Sequence, residues 1–270
     1  MILDMRALLL AVVAGCAGAE ATTLAPQEPT PMINGRELGL HPGETMAYEV
    51  QLAGVLVGEA QLAVGEIGTV EGKQAIVVKS RAATAGAAAL VKQLVDESTT
   101  VIDVETGHPL KVDMLVINGQ KKITSDVRFA GRIATVTYRR SETARPQTFR
   151  FDFRTVPFHD MHTAMAAIRG WRATPGAIRT VHIIGGRRLW KIDMKYIGEE
   201  TIGSAVGNRR TVVLEGTSYR ARRDLKPEPG KPQRTFRVWL SDDADRVPIK
   251  CSAKTELGDI VMDLIDYQRP

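Results

Sequence analysis

The sequence predicts an all-β protein: a single antiparallel domain, built as a curved, barrel-like sheet or a sandwich, with one or two short helices. First, apolar residues alternate with polar ones over most of the chain, as Met46, Tyr48 and Val50 do near its start. Second, tight-turn signals separate these segments, which number about a dozen. Third, no segments alternate strand with helix at the spacing that a parallel sheet needs. Together these patterns favour a sandwich or a barrel-like sheet.

The alternation can be followed strand by strand. Asn118-Gly119 predicts a tight hairpin turn, and Gly185-Gly186 predicts a second one that leads into a strand containing Trp190. The remaining predicted strands lie around residues 45–52, 62–64, 110–116, 123–129, 149–153, 178–184, 190–196, 236–240, 247–253 and 260–265.

Two segments interrupt the alternation and predict helices. Residues 85–96 are rich in alanine and predict a short helix. Residues 158–170 carry stronger signals, because Pro157 precedes them, Asp160 is a candidate N-cap and Gly170 is a candidate helix end.

The N-terminus indicates export. Residues 7–14 form an apolar run after Arg6, too short to span a bilayer but typical of a signal peptide. Val13-Ala14-Gly15-Cys16 resembles a bacterial lipobox, so we expect a signal peptide over residues 1–15 and a lipid anchor on Cys16. By resemblance to enterobacterial lipoproteins, Ala17 rather than an aspartate after the cysteine implies an outer-membrane lipoprotein facing the periplasm. The alternative is cleavage after Ala17-Gly18-Ala19, which would leave a soluble periplasmic protein.

The organisation downstream follows from this interpretation. Residues 16–42 contain four prolines and little periodicity, which predicts a lipidated N-terminus and an extended tether. Residues 43–270 form the predicted β domain. Lipidation would consume the Cys16 thiol, so Cys251 is expected to be a lone buried thiol in the mature chain.

Several stretches together resemble the bacterial family catalogued as domain of unknown function 3108. They are "PGETMAYEVQLAGVLVGEAQLAV", "HPLKVDM", "HDMHTAMAAIRGWRATPG" and "VWLSDDADRVPIKCSAKTELGDIVMDL", in this order, across about residues 43–267. The resemblance implies an envelope protein, often made with a signal peptide, and implies no particular activity.

The sequence holds few signs of catalysis or metal binding. His159 and His162 have a spacing that, on one helix face, could bind a divalent metal, but no further ligand motif accompanies them. The acidic run Ser241-Asp242-Asp243-Ala244-Asp245 is interpreted as a β-turn rather than a calcium loop. No nucleophile-elbow, zinc-protease, phosphate-loop or paired-cysteine motif is present, and no cofactor is predicted.

Basic residues cluster in three regions, 121–150, 169–195 and 220–237, within a chain of net charge +5. These regions are either solvated strand faces or a surface for anionic envelope material; nucleic acid is not an expected partner. The candidate ligand-binding residues are Trp190, Arg187, Arg188 and Trp171. We therefore predict a non-catalytic binding module for a lipid-like or anionic glycan ligand. The alternatives are an enzyme acting on envelope polymers and a structural partner of another envelope protein.

Overall fold

The computed structural model describes residues 39–154 and 156–269, together with two short strands before them. Cys16, the predicted signal peptide over residues 1–15 and most of the predicted tether lie outside the described residues.

The described residues form 17 strands and two helices. The strands are β1 Met32–Ile33, β2 Arg36–Glu37, β3 Thr45–Leu52, β4 Val55–Val70, β5 Lys73–Thr84, β6 Leu94–Asp103, β7 Pro109–Asn118, β8 Lys121–Ala130, β9 Ile133–Arg139, β10 Gln147–Asp152, β11 Phe158–His159, β12 Ile178–Gly185, β13 Arg188–Ile202, β14 Arg209–Ala221, β15 Arg234–Ser241, β16 Pro248–Thr255 and β17 Gly258–Gln268. The helices are α1 Gly86–Val91 and α2 Met161–Arg169.

Fifteen of these strands form one large curved sheet that does not close, which confirms the predicted all-β class. The strand order is β10-β9-β8-β7-β6-β5-β4-β3-β17-β16-β15-β14-β13-β12-β11. Neighbouring strands pair antiparallel, except that the short edge strand β11 runs parallel to β12. β1 and β2 form a separate two-stranded sheet.

Residues that alternate along each strand lie on opposite faces of this sheet. Met46, Tyr48 and Val50 of β3 are buried on the concave face, while the residues between them are partly exposed. α2 packs into the concavity through Ala164 and Ile168, which belong to the larger core cluster. A second cluster joins β7–β10 to β12–β14, so the two arms of the curved sheet pack against each other.

Both predicted hairpins form, with the turn centred one residue later than the dipeptide signals indicate. Asn118 pairs with Lys121, so Gly119 and Gln120 are the central residues. Gly185 pairs with Arg188, so Gly186 and Arg187 are central in the second hairpin. In each turn the first central residue is a glycine with positive φ, as type II′ geometry requires.

The helices differ from their predicted bounds. The first is confined to residues 86–91, because the β-branched stretch from Leu94 joins the sheet as β6. The second begins at Met161, after Asp160, whose side chain accepts hydrogen bonds from the backbone N–H groups of His162 and Thr163. The prediction that His159 shares a helix face with His162 is therefore wrong: His159 precedes the N-cap and belongs to β11.

The packed structure also begins earlier than the predicted boundary at residue 43. Leu40 and His41 are buried, and Leu40 belongs to the main core cluster. None of the helices in the described part of the chain is long and apolar enough to cross a membrane.

Candidate functional site

An apolar cavity of about 150 Å³ lies between α2 and the concave face of the sheet. Such a volume matches an apolar protein cavity that accommodates a benzene-sized ligand. Its apolar lining comes from α2 and from strands of both arms: Leu62, Val112, Met114, Met161, Ala164, Met165, Ile168, Val181, Ile183, Ile184, Ile192, Met194, Phe236, Val238, Leu240 and Met262.

The cavity wall is adaptable in shape. Five of its side chains are methionines, which change rotamer easily and fill irregular space: Met114, Met161, Met165, Met194 and Met262. Cys251 also lines the cavity and is 1 % exposed. Burial raises the pKa of its thiol to about 12, so this cysteine acts as a small apolar side chain, as the sequence predicts.

One wall of the cavity carries a chain of polar side chains. Ser80 Oγ lies 2.8 Å from His162 Nε2, and His162 Nδ1 lies 2.7 Å from Thr100 Oγ1. The Thr100 hydroxyl in turn donates to Asp160 Oδ2 at 2.5 Å. Because Thr100 donates its only proton to Asp160, it must accept from Nδ1–H of His162. Nε2 is then the bare nitrogen and accepts from the Ser80 hydroxyl.

This chain of contacts uses both ring nitrogens of His162. Both of its ring nitrogens are engaged, and burial lowers its pKa, so the imidazole is neutral at pH 7. Among the described residues, no three His, Cys, Asp or Glu side chains are grouped so that they could hold a metal ion.

A second pocket, of about 80 Å³, adjoins the cavity, since Asp96 and Met114 line both. Its walls bring together three of the predicted ligand-binding residues, Arg187, Arg188 and Trp190. They face Val116, Ile123, Thr124, Ser125 and Tyr138 of the opposite arm. Arg187 lies over the Tyr138 ring, 5.2 Å from its centroid. The backbone N–H of Gly186 points at Met114 Sδ, 3.4 Å away, which fixes the hairpin tip against β7.

Two buried polar atoms in this pocket have no hydrogen-bond partner within the described part of the chain. They are Ser125 Oγ and Trp190 Nε1. Ser125 is only 5 % exposed. A buried hydroxyl or indole N–H without a partner costs free energy, so both groups are suited to hydrogen-bond an acceptor that enters the pocket.

Trp171, the fourth predicted ligand-binding residue, lies apart from this arrangement. It follows the C-terminal end of α2, packs against the main core cluster and lines neither pocket. Conversely, sequence reasoning missed Ser80, Thr100 and Ser125. Each is a small hydroxyl residue on the inward face of a strand, and the one available signal was a polar residue at an inward position of the alternation.

A buried ion pair holds the C-terminal end of α2. Arg169 donates to both carboxylate oxygens of Glu44, at 2.6 and 2.9 Å, and both side chains are fully buried. Arg169 also donates to the backbone carbonyl of Asp245, and the Tyr267 hydroxyl donates to Glu44. These contacts join α2 to β17 and to the loop before β16.

Sequence comparison assigns the chain to a family. Residues 47–265 match the family described as "Protein of unknown function (DUF3108)". The chain belongs to the DUF3108 family. No curated protein matches the sequence significantly.

Among solved structures, the DUF3108 chain is similar to a beta-barrel-like DUF1849 protein from Brucella abortus. The two are 8 % identical with a TM-score of 0.52, and the match covers 84 % of this chain and 97 % of that chain. At this identity the similarity shows the fold alone. The hypothetical lipoprotein YmcC from Escherichia coli (K12) also matches, at 10 % identity and a TM-score of 0.32, covering 86 % of this chain and 88 % of that chain.

Proposed function

We propose that this DUF3108 protein is a cell-envelope protein that binds an anionic, lipid-like molecule between α2 and the sheet. One observation carries the proposal: an apolar cavity adjoins a pocket that presents two arginines and two unpartnered hydrogen-bonding groups. The cavity would take an apolar chain, and the pocket would take an anionic head group.

The volume of the cavity limits the size of the apolar part of the ligand. The cavity as it stands accommodates a short apolar segment, and a longer acyl chain requires the methionines to change rotamer. At the other end of the ligand, Arg187 and Arg188 bring positive charge to a pocket that the Asp96 carboxylate also lines, while Ser125 Oγ and Trp190 Nε1 supply donors. Charge-assisted hydrogen bonds of this kind suit a carboxylate or a phosphate.

The proposed location rests on the N-terminal sequence. The lipobox-like Val13-Ala14-Gly15-Cys16 supports a lipid anchor on Cys16 and an outer-membrane protein facing the periplasm. Mass spectrometry of the mature N-terminus tests this directly. A diacylglyceryl Cys16 is the expected result, and an unmodified chain that begins at Glu20 would contradict it.

The binding proposal is tested by fluorescence titration with dansyl-labelled undecanoic acid and with its uncharged methyl ester. The wild-type chain should bind both probes, and the acid more tightly. Ala164→Phe places a ring in the cavity and should abolish binding of both probes. Arg187→Gln should weaken binding of the acid and leave binding of the ester unchanged.

Controls separate ligand binding from folding. Ala205→Phe introduces the same ring at an exposed turn position and should leave both affinities unchanged. If Ala164→Phe does not fold, Cys251→Leu replaces it in the test, because leucine at this position fills a smaller part of the same cavity. If the wild type binds neither probe, or if Ala164→Phe binds as well as wild type, the cavity is not the binding site.

A second candidate function is favoured by the contact between Ser80 and His162. A neutral His162 with a bare Nε2 is placed to take the Ser80 proton while Oγ bonds to the acyl carbon of a bound ester. His162 would then return the proton to the departing alkoxide, and water would release the acyl group from Ser80. A fluorophosphonate probe that labels the wild type and spares Ser80→Ala would support this activity; no labelling would exclude a reactive Ser80.

A further inference from the structure

The exposed apolar side chains of the described residues are unevenly distributed over the surface. Five of the eight large hydrophobic side chains that are exposed among the described residues belong to connections or strand starts at one end of the sheet. We call these five side chains the apolar tip: Val55, Leu56, Leu90, Val91 and Leu257.

Strand order places them at the same end. Connections of an antiparallel sheet alternate between its two ends, so the β3–β4, β5–β6 and β16–β17 connections share one end with the β7–β8 and β12–β13 hairpins. Direct contacts agree: the N–H of Gly119 donates to the carbonyl of Gln93, and a Cβ on Gly258 would touch Ala53. This end is called the α1 end.

Within the apolar tip, α1 is the most exposed element. Leu90 is 90 % exposed and Val91 is 88 % exposed, and none of the six residues of α1 is buried. All six are glycine, alanine, leucine or valine, so the helix has no polar face toward water. Two hydrogen bonds join the ends of this segment to β4 and β5, from Ala85 N–H to the Val57 carbonyl and from the Thr84 hydroxyl to the Lys92 carbonyl. Exposed apolar surface presented in this way marks an interaction site.

Charge identifies the partner. The α1 end carries many exposed bases: Lys92, Lys121, Lys122, Arg140, Arg145, Arg187, Arg222, Arg223, Lys226 and Lys231. Its acids are fewer: Glu142, Asp224, Glu228, Glu256 and Asp259. At the opposite end the two signs are balanced: Glu71, Glu105, Asp242, Asp243 and Asp245 stand against Lys73, Arg132, Arg209, Arg210 and Arg246. An apolar protrusion within a basic surface complements the surface of an anionic bilayer. The bases match the phosphates of the head-group region, and the protrusion matches the hydrocarbon core beneath it.

We propose that the α1 end docks on an anionic phospholipid bilayer, with Leu90 and Val91 inserted among the acyl chains. The surrounding bases contact lipid phosphates. This goes beyond ligand binding in the cavity, and it is separate from the anchor proposed on Cys16. It also gives the ligand pocket an orientation, because Arg187 at the hairpin tip belongs to the same end and faces the membrane.

The test uses a fluorophore whose emission depends on its immediate surroundings. Binding of the N-terminal segment to vesicles therefore does not produce the signal at the labelled position. The full chain with Cys16→Ser and Leu90→Cys is labelled with nitrobenzoxadiazole, while Cys251 is buried with a raised pKa and stays unlabelled. Ala205→Cys, exposed at the opposite end, is the matched control. Vesicles of phosphatidylcholine, with or without phosphatidylglycerol, are then added.

The label at position 90 should shift to the blue with vesicles that contain phosphatidylglycerol, and the label at position 205 should not. High salt should weaken the effect, since it screens the bases. Lys121→Glu with Lys122→Glu should lower the apparent affinity about tenfold or more. Val91→Asp in the chain labelled at position 90 should also lower the apparent affinity for these vesicles. The same variant should still bind dansyl-undecanoic acid in the cavity.

Three outcomes would overturn the proposal. Equal responses at positions 90 and 205 would mean that the α1 end has no special role. A response that is the same with phosphatidylcholine alone would remove the role of the bases. A blue shift without vesicles that grows with protein concentration would identify a second copy of this chain, rather than a bilayer, as the partner of the apolar tip.

Discussion

At the scale of single residues, the Glu44–Arg169 pair is a fully buried ion pair at the C-terminal end of α2. Its bidentate geometry, together with the Tyr267 hydroxyl and the Asp245 carbonyl, gives both charged groups hydrogen-bond partners within the protein. Burial alone would lower the pKa of Arg169, but the charge of Glu44, its hydrogen bonds with Arg169 and the neighbouring Tyr267 and Tyr48 together raise it. Breaking such a pair leaves a buried charge uncompensated.

Glu44→Gln is therefore expected to lower the free energy of unfolding by about 3–5 kcal/mol. The matched control is Glu97→Gln, which breaks the exposed pair with Arg81 and should cost less than about 1 kcal/mol. Chemical denaturation of both variants measures the difference. Equal losses would mean that the buried pair contributes no more than a surface pair.

A second residue-scale prediction concerns Gly39, which packs against the end of α2. Its φ is +65°, and an added Cβ would lie 2.2 Å from the Ala166 carbonyl oxygen. Gly131 has a similar φ of +57° with open space around it. Gly131→Ala should cost about 1 kcal/mol for backbone strain alone, and Gly39→Ala should cost clearly more. The difference in melting temperature between the two variants measures the cost of the steric clash between the added Cβ and the Ala166 carbonyl. Identical melting temperatures would contradict this clash.

At the scale of elements, α2 is a short helix that side-chain contacts hold against the sheet at both of its ends. Its N-terminal end is fixed by the capping box of Asp160 and Thr163 and by the hydrogen bond from Thr100 to Asp160. Its C-terminal end is fixed by Arg169. Because the helix forms one wall of the cavity, these fixed ends determine the shape of the proposed binding site.

Asp160→Ala removes the cap and should destabilise the protein by about 2 kcal/mol or more, since the Thr100 hydroxyl also loses its acceptor. Asp160→Asn retains a side-chain oxygen for capping and should cost less than Asp160→Ala. Urea titration of the pair checks the order. Equal stabilities for the two variants would show that the cap does not contribute.

At the scale of the whole molecule, buried histidines link stability to pH. Burial, and secondly the charge of His108, lowers the pKa of His159 to about 4, and burial lowers the pKa values of His162 and His182 as well. The unfolded chain takes up protons near pH 6.5, before the folded chain does. Stability is therefore fully present above about pH 6.5 and falls as the pH decreases toward 4.

We expect the free energy of unfolding to fall by roughly 2–3 kcal/mol between pH 6.5 and 4 through His159 alone, since one pKa unit corresponds to about 1.4 kcal/mol. His159→Phe removes this group, and its stability should depend less steeply on pH in that window. Denaturation curves at several pH values measure the slope. An unchanged slope in His159→Phe would assign the pH dependence to other groups.

Much of this architecture could be read from local patterns. Alternation with a period of two predicts which side chains of a strand share a face, and Asp160 and Gly170 mark the ends of α2 because capping is a property of adjacent residues. The same patterns misplaced His159 and extended α1 to residue 96. Alanine favours a helix locally, but pairing with β5 and β7 decides where β6 begins.

The sequence alone was sufficient for the all-β class, the hairpins, the cap of α2, the family resemblance and the expectation of a buried Cys251. Only the tertiary structure decided which strands meet across the interior. Ser80, Thr100 and His162 come from two strands and a helix, and Ser125 and Trp190 line one pocket because the curved sheet brings its two arms together. Periodicity identifies the buried face of a strand but carries no information about curvature or about the strand opposite. The cavity, its adjoining arginine pocket and the apolar tip are consequences of that long-range packing.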